Sequence, residues 1–295
     1  MKPAPFEYSR PADIDEACAI LAADDGARII AGGQTLVPMM AMRLARPTRL
    51  VDIGRIAALS YIREAGETVV VGATTRQRTV ECDAVVAAKV PLLSKVLPWV
   101  GHAPTRARGT IGGSLANADP AAEIALVAVT LGATLIYRRD GGDTEIAASD
   151  FFVGPMITAL ERASCLTAVC FPVWSEPRVG VGFHEVNARR SDFAFVSAAA
   201  QIALDEEGVC RRVAVAIGAA TDFPLRLDAV ADALVGTRIA PEAARAAVTE
   251  ALADIDPVSD LHASADYRRR VAVTLALRAL DDAEQVATRR GANVH

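Results

Sequence analysis

The hydrophobic positions near the start of the chain repeat with a helical period. Four small or apolar side chains fall at positions i, i+3, i+4 and i+7: Ile14, Ala17, Cys18 and Leu21. This spacing places them on one face of a helix, as is typical of a helix packed against a core. Asp13 and Glu16 have the spacing of a capping box. We therefore predict an amphipathic helix that begins after Asp13.

Short apolar runs separated by polar turns predict the elements of the first part of the chain. Strands from Ala27 to Ile30 and from Leu50 to Ile53 flank a predicted helix from Pro38 to about Leu44. They indicate a small β-α-β lobe at about residues 1–56. A larger antiparallel-sheet lobe with helices is predicted at residues 57–175. Its elements are strands Tyr61 to Arg63, Thr68 to Gly72 and Ala133 to Arg138, helices near Val80 to Ala87 and Leu92 to Val100, and a hairpin turn at Asp140 to Asp143.

A proline-containing stretch from Pro172 to Pro177 is the predicted linker to a second domain. Three strand-like runs and two alanine-rich helices follow it: Val181 to Ala188, Phe195 to Leu204, Val213 to Ile217, Pro241 to Ala253 and Ala265 to Thr288. Strands followed by helices are typical of an α+β fold. We predict the α+β class, with a two-lobed domain at residues 1–175 and a smaller domain of antiparallel strands and helices at residues 178–290.

Two segments in the first domain contain adjacent glycines: Ala31-Gly32-Gly33-Gln34-Thr35-Leu36 and Thr110-Ile111-Gly112-Gly113-Ser114. Adjacent glycines let a backbone approach a ligand where a Cβ would collide. The second segment leads to Asp119 and Pro120, which read as the N-cap and first residue of a helix through Leu131. Free N–H groups at a helix start bind anions. The pair of segments therefore predicts a ligand with an extended phosphate region.

Other kinds of ligand and location are disfavoured. A net charge of -5 and a pI near 5.5 argue against nucleic acid. The apolar runs are shorter than the roughly 20 residues of a transmembrane helix, and the start of the chain lacks an apolar signal core. Gly180-Val181-Gly182 has no third glycine in place and precedes strand-like sequence, so we interpret it as part of a strand or turn rather than a dinucleotide fingerprint.

The cysteines and histidines indicate no metal site. The five cysteines form no C-x-x-C pair and no ferredoxin-like spacing: Cys18, Cys82, Cys165, Cys170 and Cys210. The four histidines show no metal-binding spacing either. Scattered cysteines in an odd number favour a reducing compartment, and we expect a cytoplasmic protein. No nucleophile–base set can be assembled, so no catalytic residue is predicted.

The glycine segments carry a resemblance to a known family. Ala31 to Met40 and Arg108 to Ala116 resemble the two FAD-binding motifs of the medium, flavoprotein subunit of molybdenum hydroxylases. That family includes the carbon monoxide dehydrogenase flavoprotein, the xanthine dehydrogenase FAD domain and bacterial N-heterocycle dehydrogenases. The resemblance continues through Ala148 to Gly154 and Phe183 to Ala194, and covers nearly the whole chain.

The resemblance implies a non-covalent FAD, since the first glycine segment lacks the His or Cys of a covalent flavin link. Family members contact the cofactor at the positions of Asn117 and Glu123, and Val100-Gly101 matches another contact stretch. The implied cofactor-binding residues are Ala31, Gly32, Gly33, Gln34, Thr35, Leu36, Val100, Gly101, Thr110, Ile111, Gly112, Gly113, Ser114, Asn117, Asp119, Glu123, Leu166 and Glu185. Some relatives have a lysine at the position of Glu185. We leave open whether this acidic residue faces the flavin or pairs with Arg189 or Arg190.

The resemblance also implies partner chains. Substrate would be oxidised at a molybdopterin cofactor in a large partner subunit, and electrons would pass through 2Fe-2S clusters in a small partner subunit to FAD here. NAD, oxygen or a quinone-like compound would accept them, in a heterotrimer or a dimer of heterotrimers. Two alternatives remain open: a self-sufficient FAD-dependent reductase of the same broad fold, and an assembly subunit that has lost its flavin.

Overall fold

A small parallel sheet opens the fold. The computed structural model describes residues 2–292, and its first sheet has the strand order β1-β3-β2. The elements of this lobe are β1 (Glu7–Ser9), α1 (Ile14–Ala23), β2 (Ala27–Ile30), α2 (Leu36–Ala41) and β3 (Arg49–Asp52). Helix α1 begins as predicted, because the Asp13 carboxylate accepts the N–H of Glu16 at 2.9 Å. Strand β1 was not predicted, since three half-exposed residues carry almost no periodicity.

The larger lobe is built on a five-stranded antiparallel sheet of order β4-β5-β10-β6-β7. Its strands are β4 (Ile62–Ala65), β5 (Thr68–Gly72), β6 (Thr134–Arg139), β7 (Gly142–Ala147) and β10 (Cys165–Pro172), and β8 (Phe152–Gly154) pairs with β9 (Ile157–Thr158) beside it. As predicted, a tight hairpin joins β6 to β7, with positive φ at Asp140 and Gly141.

Seven helices of the described chain belong to this lobe: α3 (Gln77–Glu81), α4 (Ala84–Lys89), α5 (Pro91–Val96), α6 (Ala103–Arg108), α7 (Ile111–Asn117), α8 (Glu123–Leu131) and α9 (Ala148–Phe151). The two long helices predicted between Val80 and Val100 are three short ones, because Asp83 starts a new helix and Pro91 another. Helix α8 is buried on every side from Ile124 to Leu131, which explains its uniformly apolar sequence. No helix in the described residues is long and apolar enough to span a bilayer.

The second domain is a four-stranded antiparallel sheet, in the order of the chain, with helices on one face. Its elements are β11 (Arg178–Asn187), β12 (Ala194–Leu204), β13 (Cys210–Gly218), β14 (Leu225–Arg226), α10 (Asp228–Leu234), α11 (Pro241–Ala251) and α12 (Ala265–Ala292). A Cβ at Gly180 or Gly182 would lie 1.9 Å from a carbonyl oxygen of α12. These two glycines therefore let α12 lie close against β11.

The opposite face of the second sheet packs on the first domain. Val181 and Phe183 of β11 belong to the core that contains α5 and α8, and the Phe183 ring meets the Trp99 ring edge-on at 5.7 Å. The sheet is thus covered by α12 on one side and by the first domain on the other. The α+β class is as predicted.

Candidate functional site

A cleft of about 680 Å³ lies between the two lobes and reaches the second domain. Residues 28–36 line it from the small lobe, residues between 100 and 123 line it from the larger lobe, and residues 191–193 line it from the β11–β12 connection. Its volume falls in the usual range for ligand sites, about 300–1,000 Å³. Both glycine segments therefore face one cleft, as the sequence predicts.

The first glycine segment leaves β2 and turns at Gly33, whose φ is +69°, a conformation that glycine adopts without strain. Within residues 2–292, no protein acceptor takes the backbone N–H of Gly33, Gln34 or Thr35. The Gln34 amide donates to the Gly32 carbonyl at 3.2 Å, which folds its side chain back on the loop. Three adjacent donors remain available to an anion.

Helix α2 begins at Leu36, two residues before the predicted start at Pro38. Proline occupies the third helical position without penalty, because the first N–H groups of a helix have no intrahelical acceptor. Thr35 is the N-cap, but its side chain makes no capping bond.

The two glycine segments touch each other. A Cβ at Gly32 would lie 2.6 Å from the Arg108 carbonyl oxygen and 2.8 Å from the Cα of Gly109. The Arg76 guanidinium donates to the same Arg108 carbonyl. Gly32 is thus required for contact between the lobes at the cleft wall, a role that its local sequence does not reveal.

The second glycine segment forms the start of helix α7. Thr110 is the N-cap of α7, and its hydroxyl accepts the N–H of Gly113 at 3.0 Å. The Ile111 N–H donates to the Thr75 carbonyl at 3.0 Å, and the Gly112 N–H donates to the Ala73 carbonyl at 2.9 Å. Protein acceptors thus already occupy these three N–H groups at the start of α7.

The adjacent glycines of α7 face opposite ways. Gly112 is buried, and a Cβ there would lie 2.5 Å from the Cβ of Ala73. Gly113 is exposed to the cleft together with Ala116, one turn later. Gly112 therefore permits close packing of α7 against Ala73, whereas Gly113 leaves space on the side of α7 that faces the cleft.

Asp119 does not begin the next helix, contrary to the prediction. Helix α8 starts at Glu123 with Ala122 as its N-cap, and the Asp119 carboxylate instead accepts the Ala121 N–H at 2.9 Å. Burial raises the pKa of Asp119. The preceding residue, Ala118, has a left-handed φ of +49°, which ends α7 and breaks the helical path. The two helices are therefore separated by a tight turn on the cleft wall.

Asp119 and Glu123 form the acidic end of the cleft, and Glu185 lies near enough for the charge of Glu123 to affect it. Glu123 lines the cleft, and burial raises its pKa to about 7. Glu185 lies in β11 and is not one of the lining residues. Burial, followed by the charge of Glu123, raises its pKa to about 8. Of the two alternatives left open for Glu185, the structure does not show the pairing with an arginine: Arg189 pairs with Asp192 at 3.1 Å, and Arg190 lies over the Trp99 ring.

Arg106 fixes another part of the cleft wall. Its Nη1 donates to the carbonyls of Val100 at 3.2 Å and Gly101 at 2.8 Å. Its Nε and Nη2 donate to both carboxylate oxygens of Glu81, at 2.9 and 3.1 Å. The Val100-Gly101 turn, with Gly101 at φ +50°, is thereby tied to α3 and α6. Sequence reasoning missed Arg106, because nothing local distinguishes a buried arginine from a surface one.

The structure brings most of the implied cofactor-binding residues together. Those that line the cleft are Ala31, Gly32, Gly33, Gln34, Thr35, Leu36, Val100, Gly101, Thr110, Gly112, Gly113, Ser114, Asn117, Asp119, Glu123 and Leu166. Ile111 is fully buried in the core instead, and Glu185 does not line the cleft. Ser191, Asp192 and Phe193 line the cleft without having been predicted. The Arg-Arg-Ser-Asp-Phe-Ala segment of the resemblance was the signal that could have indicated them.

The charge of the lining is mainly acidic. It includes the carboxyl groups of Asp119, Glu123 and Asp192 against one guanidinium, Arg28, and the imidazole of His102. What this lining offers to an anion is the neutral backbone donors of the first glycine segment rather than an excess of positive side chains. In the described residues no group of three His, Cys, Asp or Glu side chains is arranged to hold a metal ion.

Two protein-family models together match most of the chain. The model of the FAD binding domain in molybdopterin dehydrogenase matches residues 4–174, and that of the CO dehydrogenase flavoprotein C-terminal domain matches residues 182–283. The 6-hydroxypseudooxynicotine dehydrogenase complex subunit alpha of Paenarthrobacter nicotinovorans is 34% identical over 95% of both chains.

Two solved structures share the fold. A carbon monoxide dehydrogenase from Hydrogenophaga pseudoflava superimposes with a TM-score of 0.93 at 32% identity, over 97% of this chain and 99% of that one. Quinoline 2-oxidoreductase from Pseudomonas putida 86 gives a TM-score of 0.91 at 37% identity, with the same coverage. These matches confirm the predicted fold class.

Proposed function

This chain belongs to the family of FAD-binding subunits of molybdopterin dehydrogenases, and from that premise we propose that it passes electrons from the 2Fe-2S clusters of a partner chain to an external acceptor. It is the FAD subunit of a molybdenum hydroxylase and thus part of an oxidoreductase. FAD, when bound, supplies the redox chemistry. The residues of this chain bind and orient it.

The observation that supports this function is the row of free donors at the first glycine segment. The N–H groups of Gly33, Gln34 and Thr35 lack protein acceptors within the described chain, and such successive N–H groups form a concave site for phosphate oxygens. From there the cleft continues along the side of α7 that carries Gly113 and Ala116. A flavin dinucleotide has its diphosphate in the middle and fits this arrangement of donors and open space.

The second supporting feature is that the cleft crosses the domain boundary. Residues 191–193 of the second domain line the same cleft as the glycine segments. We propose as cofactor contacts those implied residues that line the cleft, which excludes Ile111 and Glu185. Arg106 would hold the Val100-Gly101 turn of this set in place. With the domain division that we propose, at residues 1–175 and 178–290, the cofactor would lie between the two lobes of the first domain and also contact the second domain.

We propose a large molybdopterin-binding subunit and a small 2Fe-2S subunit as partners, in a heterotrimer or a dimer of heterotrimers. Nicotine 6-hydroxylase of Paenarthrobacter nicotinovorans has a medium subunit that is 34% identical to this chain, and a medium subunit implies larger and smaller companions. The unpaired cysteines support the cytoplasm as the location. NAD, oxygen or a quinone-like compound is the proposed acceptor.

The purified chain tests this function. We expect a yellow protein whose flavin is reduced by dithionite, and which oxidises no aldehyde or N-heterocycle unless the partner chains are added. Substrate-dependent flavin reduction by the single chain would instead favour a self-sufficient reductase. A colourless chain that assembles normally and does not take up added FAD would favour a flavin-free assembly subunit.

We also propose that the FAD is not covalently attached. The first glycine segment has no His or Cys, and Cys165, the cysteine in the cleft lining, is a poor nucleophile because burial raises its pKa. Acid precipitation should release all the flavin into the supernatant. Flavin that remains with the pellet would contradict this proposal.

A further inference from the structure

Glu123 and Glu185 approach the seam between the domains from opposite sides. Glu123 is the first residue of α8 and lines the cleft. Glu185 lies in β11, two residues after Phe183, so the two side chains point to the same face of the sheet. That face packs against the first domain, as the core position of Phe183 shows. Two carboxyl groups therefore enter one interdomain region.

The pairing register places α8 over this part of the sheet. Glu185 is opposite Ser197 of β12, and Ser197 is opposite Gly218 of β13. A Cβ at Gly218 would lie 3.5 Å from the Leu126 side chain, which is on α8 nearly one turn after Glu123. The first turn of α8 thus lies beside the row of residues that contains Glu185.

Neither carboxyl group has a positive partner there. In the described residues, no Lys, Arg or His nitrogen lies within 4.0 Å of either one. Asp119 adds negative charge beside Glu123, and Arg106 opposes it only from a distance, since its guanidinium is bound to Glu81. One oxygen of Glu185 accepts from the Asn187 amide at 2.7 Å, whereas the other is buried without a partner.

A buried carboxylate oxygen with no donor is costly, and two adjacent carboxylates add mutual repulsion. A proton on the pair removes both costs. We propose that the pair of Glu123 and Glu185 holds at least one proton at neutral pH and that tight binding of FAD requires this proton. The proposal rests on the proposed function, because it concerns the cofactor of that function.

The physical reason for the link is charge. FAD brings a doubly negative diphosphate into a lining that already has more carboxyl groups than bases, and it excludes water from the acidic end of the cleft. Both effects favour the neutral form of the pair. The direction agrees with burial raising the pKa of Glu123 to about 7 and that of Glu185 to about 8. FAD affinity should therefore fall as the pH rises through these values.

The first test measures FAD affinity of the apoprotein by flavin fluorescence, from below pH 7 to above pH 8. For one linked proton, the dissociation constant should rise by up to about tenfold per pH unit at the upper end. Glu185→Gln keeps the shape of the side chain but cannot ionise, so its FAD affinity should fall less with rising pH than that of the wild type, with Glu123 as the remaining titrating group. Glu207→Gln makes the same charge change in an exposed turn and should retain the wild-type pH dependence.

The second test needs no cofactor. The infrared spectrum of the apoprotein at neutral pH should contain the C=O stretch of a protonated carboxyl group, which Glu185→Gln and Glu123→Gln each remove or shift. A wild-type affinity that does not change with pH, or the absence of this band, would overturn the proposal. If FAD binds at no pH, the proposed function fails, and the band alone decides whether the pair holds a proton. If Glu185→Gln does not fold, the wild-type band and Glu123→Gln decide it.

Discussion

Replacing Arg106 with leucine should both destabilise the first domain and weaken FAD binding. The Arg106 side chain is 10% exposed and forms a two-bond ion pair with Glu81, whose side chain is also 10% exposed. The same guanidinium holds the carbonyls of Val100 and Gly101 on the cleft wall. The substitution therefore removes a buried charge pair and frees a turn of the site.

The magnitude follows from burial. Removing one partner of a buried ion pair costs about 3–5 kcal/mol, because the other charge stays buried. Glu81 keeps a second partner, Arg78, at 3.1 Å, so we expect the lower end, about 3 kcal/mol. For a domain of about 150–250 residues this corresponds to a Tm decrease of about 6–12 °C. Loss of the two carbonyl contacts should weaken FAD binding by at least about tenfold, the equivalent of one charge-assisted hydrogen bond.

The stability difference should also depend on pH. The hydrogen bond from Arg106 lowers the pKa of Glu81 below its ordinary value. A group with a lowered pKa stabilises the fold above its unfolded pKa, and this contribution is lost as the pH falls through its folded pKa. The wild type and Arg106→Leu should therefore differ most near neutral pH and converge in acid.

Urea unfolding of the apoprotein and FAD titration measure the two effects. Arg78→Leu is the matched control, since it removes the outer partner of the same carboxylate; that side chain is 56% exposed, and the cost should be below about 1 kcal/mol. Arg106→Lys retains the charge but not the planar fork, and should fall between wild type and leucine. If Arg106→Leu costs no more than Arg78→Leu, the reasoning from burial is refuted.

Two glycine substitutions give further tests. Gly113→Val should abolish FAD binding and leave the second domain folded, because the valine side chain would enter the cleft and crowd the Thr110 hydroxyl, which lies 2.6 Å from a Cβ at this position. The control Gly142→Val, in an open hairpin, should bind FAD normally. Full FAD occupancy in both variants would contradict this prediction. Gly182→Ala should destabilise the second domain by about 1–3 kcal/mol, as overpacking does, because the new Cβ would lie 1.9 Å from the Ala279 carbonyl oxygen. Thermal unfolding measures this loss, and an unchanged Tm would show that α12 can shift without a cost in stability.

Local sequence determined the elements whose causes are local. The capping box at Asp13 sets the start of α1, and Asp140-Gly141 supplies the positive φ values of a hairpin. Long runs of apolar residues gave the strands β12 and β13 within a few residues. The two glycine segments and the cleft they line were likewise predictable, since their composition is unusual and their resemblance to a family is specific.

Tertiary structure decided what each of those residues does. The glycines of α7 and β11 look alike in sequence, but Gly112 is buried against Ala73, Gly182 packs on α12, and Gly113 is exposed to the cleft. The donors of the second segment are occupied by carbonyls of residues 73 and 75, so the free donors lie in the first segment instead.

The charge environment of Glu185 and Arg106 also could not be predicted from the sequence. Glu185 was expected near a flavin or an arginine, and its actual setting depends on α8, which precedes it by more than 50 residues. Arg106 supports the cleft wall through the carbonyls of Val100 and Gly101, and Glu81 on another helix holds it there. A local pattern specifies backbone preference and which face is apolar, but burial and charge pairing are sums over neighbours that only the folded chain brings together.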